Sequence, residues 1–114
     1  MAFLQTFFNA QSGTANATSS VITLSDNLSI ENAGLQITAT GFNTADATVK
    51  LLQSADGVNY AYTKDADGSD WTLTITSNTT FQQIFSNIAF KFYKLEFNKG
   101  TNSAGTFSSH INFN

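Results

Sequence analysis

The chain has 114 residues, a formal net charge of −3 and only 11% charged residues. That length fits one domain with a modest core, and its five cationic residues are scattered lysines, without the arginine forks or basic runs that grip nucleic acid. The absence of Cys excludes disulfides, thiolate zinc sites and a thiol nucleophile.

Hydrophobic residues make up 41%, enough for a folded core. Solubility must then come from Asn, Thr, Ser and Gln. No stretch approaches the roughly 20 apolar residues of a membrane-spanning helix. The start, Met1-Ala2-Phe3-Leu4-Gln5-Thr6-Phe7-Phe8, has neither a basic leading region nor a long apolar run. It therefore does not read as an export signal, and the chain is expected on the cytoplasmic side unless a larger particle carries it out.

Phe3 to Phe8 is the first strand candidate. Residues 9–20 are small and polar, the composition of a flexible linker. Residues 1–20 thus read as an apolar segment on a tether, and 21–114 as a single β-sandwich domain. Phe3, Leu4, Phe7 and Phe8 would either fold back as an edge strand or grip a neighbouring subunit.

Val21 to Leu24 and Leu35 to Thr40 follow, the second alternating strictly. Thr48 to Gln53 and Val58 to Thr63 flank Ala55-Asp56-Gly57, a strong hairpin signal. Trp71, Leu73 and Ile75 share one strand face, which makes Trp71 a core residue. Phe81, Ile84, Phe85 and Ile88 follow helical spacing, so 80–88 reads as a short helical turn or as a loop plugging the core's end. Ala89 to Asn98 is apolar on both faces, as in a strand that is central or that covers a partner surface. Phe107, Ser109, Ile111 and Phe113 share the core face of the last strand. Strands this close leave no room for crossover helices. The fold class is therefore all-β, an antiparallel sandwich that is immunoglobulin-like or jelly-roll-like.

Little in the sequence points to catalysis. His110 is the sole His and sits on a polar strand face with no Gly-x-Ser-x-Gly elbow in the chain, so no serine relay is expected. Glu96 lies within a strand and is expected to pair with a Lys such as Lys91 or Lys94 across the sheet, or to face a partner. Asp65, Asp67 and Asp70 around Gly68 resemble part of a calcium loop, but the pattern is incomplete, with no Glu at the expected distance, and they suit a hairpin turn better. No cofactor is implied. Tyr60 and Tyr62 share a strand face and are the candidates for stacking on a glycan. Asn16, Asn27 and Asn78 begin glycosylation patterns, read as by-products of composition.

Two stretches carry a resemblance. One is Val49-Lys50-Leu51-Leu52-Gln53-Ser54-Ala55-Asp56-Gly57-Val58-Asn59-Tyr60. The other is Phe92-Tyr93-Lys94-Leu95-Glu96-Phe97, followed by Thr101, Gly105, Thr106 and Phe107. Together they resemble small β-sandwich structural proteins of bacterial-virus particles, over about the C-terminal two-thirds of the chain. Lys94 stands where those proteins often have Arg. Similar sandwiches occur in adhesins and carbohydrate-binding modules. The resemblance implies a virion component, a capsid decoration, minor capsid, vertex or tail-associated protein, assembled in the host cytoplasm. Its partners would be further copies of itself, for instance in a trimer, and other virion proteins. A host-surface glycan is the alternative partner. Eleven Phe in so short a chain exceed what a small core readily hides, which also suggests burial against neighbours.

Overall fold

The computed structural model describes residues 3–25, 30–86 and 88–114. The strands are Phe3–Ser12 (β1), Ala17–Thr18 (β2), Ile22–Thr23 (β3), Asn32–Thr40 (β4), Ala47–Ser54 (β5), Ala61–Tyr62 (β6), Leu73–Ile75 (β7), Thr80–Ser86 (β8), Phe92–Asn98 (β9) and Thr106–Phe113 (β10). They form two antiparallel sheets packed as a sandwich. The first runs β1-β10-β4-β8 and the second β2-β9-β5-β6, with β3 also on β9 and β7 also on β5. Because β5 occupies one side of β9, β2 and β3 are two pieces of one broken edge. β6 and β7 form the opposite broken edge in the same way. Most connections pass from one sheet to the other, and the β5–β6 turn is the hairpin among them.

Alternation fixes which side chains enter the core. Phe107, Ser109, Ile111 and Phe113 of β10 are buried, as are Ala33, Leu35, Ile37 and Ala39 of β4. Tyr93, Leu95 and Phe97 of β9 and Ala47, Val49 and Leu51 of β5 face them from the second sheet. Trp71 packs edge-on to Phe85 with ring centroids 4.9 Å apart. Among the described residues seven Phe are buried in the chain's own core, with Trp71 and Tyr93. The aromatic surplus inferred from composition is therefore mostly absorbed internally. Large apolar side chains contribute about 1.5–3 kcal/mol each when fully buried.

The segment 80–88 contains strand β8 and no helix. Phe81 and Phe85 are four apart, a spacing that both a strand and a helix place on one face. Ile84 distinguishes them. Three residues on from Phe81, it would join them on a helix, yet here it points outward and is 73% exposed. Pairing with β4 from Asn32↔Ser86 to Thr38↔Thr80 outweighs the weak helical pattern.

The expected linker at 9–20 is also strand and tight turn. Ser19 N donates to Leu95 O at 2.9 Å and Ser19 Oγ accepts from Leu95 N at 2.9 Å. Asn16 Oδ1 accepts from Lys99 N at 2.9 Å. Small residues here reflect close approach: a Cβ on Gly13 would sit 2.7 Å from the Phe42 ring. The sheets therefore extend back to Phe3, and β1 pairs with β10 of its own chain from Phe3↔Phe113 to Ser12↔Thr106.

Two polar anchors close the loops. Lys99-Gly100 starts a corner from β9 to β10, between sheets, and not a hairpin. Fully buried Asn102 holds this corner. Its Nδ2 donates to Gly13 O at 2.7 Å and to Ala104 O at 2.8 Å, and its Oδ1 accepts from Asn43 N at 2.9 Å. Gly105 follows at φ +89°, where a Cβ would lie 2.4 Å from Thr40 O, so no other residue fits. After β5, Asp56 Oδ1 accepts from Val58 N and Asn59 N, both at 2.8 Å, and Gly57 turns at φ +78°. Val58 to Thr63 thereby forms mostly loop, with only Ala61–Tyr62 paired. Among the described residues no helix is long and apolar enough to cross a membrane.

Asn102→Ala would leave the Gly13 and Ala104 carbonyls and the Asn43 amide without a side-chain partner. It should cost about 2–4 kcal/mol, read in urea unfolding as a lower midpoint at unchanged slope. Asn102→Asp should also destabilise, because a carboxylate cannot donate to those carbonyls.

The Asn59 and Val58 amides hold the Asp56 carboxyl well below its ordinary range. The Thr44 hydroxyl, then Thr101, lower that of Asp46. Unfolded, both carboxyls take up protons near pH ~3.9. Their native hydrogen bonds thus stabilise the fold above that pH and are lost as pH falls toward the depressed native values. Tm should be flat from about pH 7 to 5 and fall toward pH 2, and less of that fall should remain in Asp56→Asn.

Candidate interaction surface

The four strands of the first sheet contain no Asp, Glu, Lys or Arg. Its outer face is built from amides, hydroxyls, one imidazole and two aliphatic side chains, laid out in cross-strand rows. In one row, Gln82, Gln36, His110 and Thr6 stand side by side. Gln82 Nε2 donates to Gln36 Oε1 at 2.9 Å, and Thr6 Oγ1 lies 2.9 Å from His110 Nδ1. The next row is Ile84, Gly34, Asn112 and Leu4. Gly34 puts a gap in the middle of it, since a Cβ there would meet nothing within 4 Å. Ile84 and Leu4, 73% and 66% exposed, stand at the two sides. The result is a shallow trough of about 460 Å³ with a polar floor and aliphatic rims. In a third row Thr38 and Thr80 join hydroxyls at 3.2 Å, while Ser108 Oγ accepts from Ala10 N at 2.9 Å.

The second sheet's outer face is different in kind. Lys50 and Glu96 stand opposite one another, as do Leu52 and Lys94, with Tyr62 beyond Leu52. The Tyr62 hydroxyl donates to Glu96 at 2.9 and 3.1 Å, which raises the phenol's pKa. Lys50 Nζ lies 4.8 Å from the Tyr62 ring centre and Lys94 Nζ 4.1 Å from that of Tyr60. Leu52 is only 8% exposed although it faces outward, so this layer of long side chains covers it. Of the anticipated glycan-stacking tyrosines, Tyr62 lies in β6 and Tyr60 in the loop before it, and both rings already hold ammonium groups. Glu96 pairs with Tyr62, not with Lys91 or Lys94, because Tyr62 reaches it across β5.

The remaining candidate residues disperse. Phe7 and Phe8 are 6% and 5% exposed and belong to the core. They leave Leu4 as the arm residue presented to solvent, while for Phe3 only the backbone pairing with Phe113 is described. Asp70 is paired with Lys64, which lowers its pKa, and lies 3.9 Å from Lys50. Asp65 and Asp67 face each other, and that contact raises the pKa of Asp65. Among the described residues no group of three or more His, Asp or Glu could hold a metal ion. Asp65, Asp67 and Asp70 therefore do not converge as one set of three side-chain ligands. Asn78 is a backbone clamp on Phe42, bonded at 2.8 and 3.1 Å, and Asn16 caps Lys99. Asn27 lies outside the described residues.

Sequence reasoning passed over Gly34, Gln36, Gln82 and Asn112. The signal was present as four charge-free segments, at 3–12, 32–40, 80–86 and 106–113. Its meaning depends on those segments being neighbours.

No protein-family model matches the chain, and no curated protein does. Among solved structures, the chain is similar to the SPBc2 prophage-derived protein YomS, with a TM-score of 0.63, 9% identity and 100% and 94% of the two chains covered. It is also similar to a CBM4 structure (TM-score 0.49, 17% identity, 98% and 66% covered). The STIV MCP gives a TM-score of 0.47 at 12% identity, with 99% and 47% covered. At these identities the likeness to the prophage protein is one of fold.

Because the acidic loop splits its carboxylates between a Lys and each other, millimolar calcium should leave the Tm where EDTA leaves it. An upward shift that grows with calcium concentration would show a site that binds the native state.

Proposed function

We propose that this chain is a structural, non-enzymatic protein of a bacterial-virus particle. It works by self-association and by docking onto capsid or tail proteins, in particles assembled in the host cytoplasm. The observation that carries this reading is the charge-free outer face of the first sheet. Solvent-facing surfaces ordinarily hold about 25–35% charged residues, and interface centres are depleted of them. Here the charges sit on the second sheet and in loops, while Leu4 and Ile84 stand exposed on the neutral side. Taking each broken edge as one strand, the order 1-8-3-6 facing 2-7-4-5 supports a jelly-roll reading of the sandwich. A fold shared end to end with a prophage-derived protein adds support.

The test is immuno-electron microscopy and mass spectrometry of particles released by the source host. Stoichiometric labelling of intact particles is expected. Abundant chain in the lysate with none on particles would overturn the proposal.

A second reading, a carbohydrate-binding module, is favoured by the trough itself. Gln36, Gln82, His110 and Asn112 offer neutral donors and acceptors suited to hydroxyl groups, and no charge lines it. Gly34→Tyr separates the readings, since the added Cβ meets open space and the ring would fill the trough. A neutral-glycan array signal abolished by Gly34→Tyr, in a variant of unchanged Tm, would favour the module.

A further inference from the structure

The sandwich has four sheet edges, and three are blunted. β1 carries register shifts between Thr6 and Phe8 and between Phe8 and Gln11, and Ala10 sits at φ 50°. The other sheet's edges are broken into β2 with β3 and β6 with β7. β8 is different. It runs unbroken over Thr80–Ser86, pairs with β4 on one side, and among the described residues meets no strand on the other. It contains no charge, no Pro and no bulge, the devices that normally prevent edge-to-edge pairing.

The free hydrogen-bonding groups of this edge can be assigned. Ala39 N donates to Thr79 O at 3.1 Å. Continuing that alternation along the β4 register makes Phe81, Gln83 and Phe85 the residues bonded to β4. Gln82 and Ile84 then direct their backbone groups outward. Gln83 Nε2 donates to Ile84 O at 3.0 Å, a side-chain partner for a carbonyl on the open side.

Resting on the proposed self-association, we propose that β8 joins a second copy of this chain, the two β8 strands pairing antiparallel about a two-fold axis through Gln83. That register is self-complementary. Gln82 lies opposite the partner copy's Ile84, exchanging both backbone bonds. Half-buried Phe81 lies opposite the other copy's Phe85, which extends the core across the junction. A strand without charge meets no like charge when paired with itself. The neutral outer faces of the two first sheets then become one continuous surface, available for docking.

Sedimentation of the full chain should give twice the monomer mass, and Ile84→Lys should return it to the monomer mass with an unchanged circular dichroism spectrum. Gln82→Lys repeats the test if Ile84→Lys does not fold. Gln83→Cys should form a covalent dimer in air, because two Cys at a non-hydrogen-bonded antiparallel pair are about 4.5 Å apart at Cα. The chain has no other Cys, and exposed Val58→Cys, away from β8, should form no covalent dimer in air. A wild-type oligomer that survives Ile84→Lys, with no crosslink through Gln83→Cys, overturns the β8 junction and leaves self-association standing. A wild-type monomer at every concentration overturns both.

Discussion

Phe97 of β9 and Phe107 of β10 stack across the sandwich with ring centroids 4.2 Å apart and planes inclined by 29°. The two strands follow one another in the chain but belong to opposite sheets, and each is flanked on both sides. Phe42 meets both rings edge-on at 6.0 and 6.3 Å, and Phe8 meets Phe107 at 4.9 Å. Aromatic pairs of this kind add about 0.5–1.5 kcal/mol each beyond the area they bury. The contact requires the chain to reverse between sheets within residues 99–105. Asn102 ties that reversal to the backbone of Gly13 and Asn43 in neighbouring loops, and Gly105 supplies its left-handed turn. Aromatic stack and polar corner thus form one unit, and β1, β4, β5 and the β2–β3 edge are arranged around it.

With the core fixed this way, the outward positions were left to diverge. The second sheet covers its outer leucine with tyrosine rings, lysine stems and a carboxylate. Its charges neutralise one another and remain wet. The first sheet keeps its outer face in water with amides and hydroxyls that bond along rows, so its groups are ordered and none needs a counter-ion. A neutral, ordered face costs less to desolvate than a charged one. That difference is why the interaction reading falls on this side.

Where sequence pattern misled, the competing physics can be named. Small polar residues at 9–20 resemble a tether because close backbone packing and flexibility select the same side chains. Phe81 and Phe85 fit two periods at once, and only the exposure of Ile84 decides between them. The abundance of Phe suggested a surface held against other chains, but a sandwich with two inner faces absorbs most of those rings itself.

The sequence by itself determined the all-β class, the inward faces of Leu35 to Thr40 and of Phe107 to Phe113, the burial of Trp71 and the turn at Asp56-Gly57. Each of these depends on alternation or turn chemistry within a few residues, which a linear string displays directly. Tertiary structure alone decided that the four charge-free segments are neighbours, that Gly34 opens a trough between Ile84 and Leu4, and that Phe7 and Phe8 are core. Those facts depend on strand order, set by contacts between residues as distant as Thr6 and His110, and no local pattern encodes such an order.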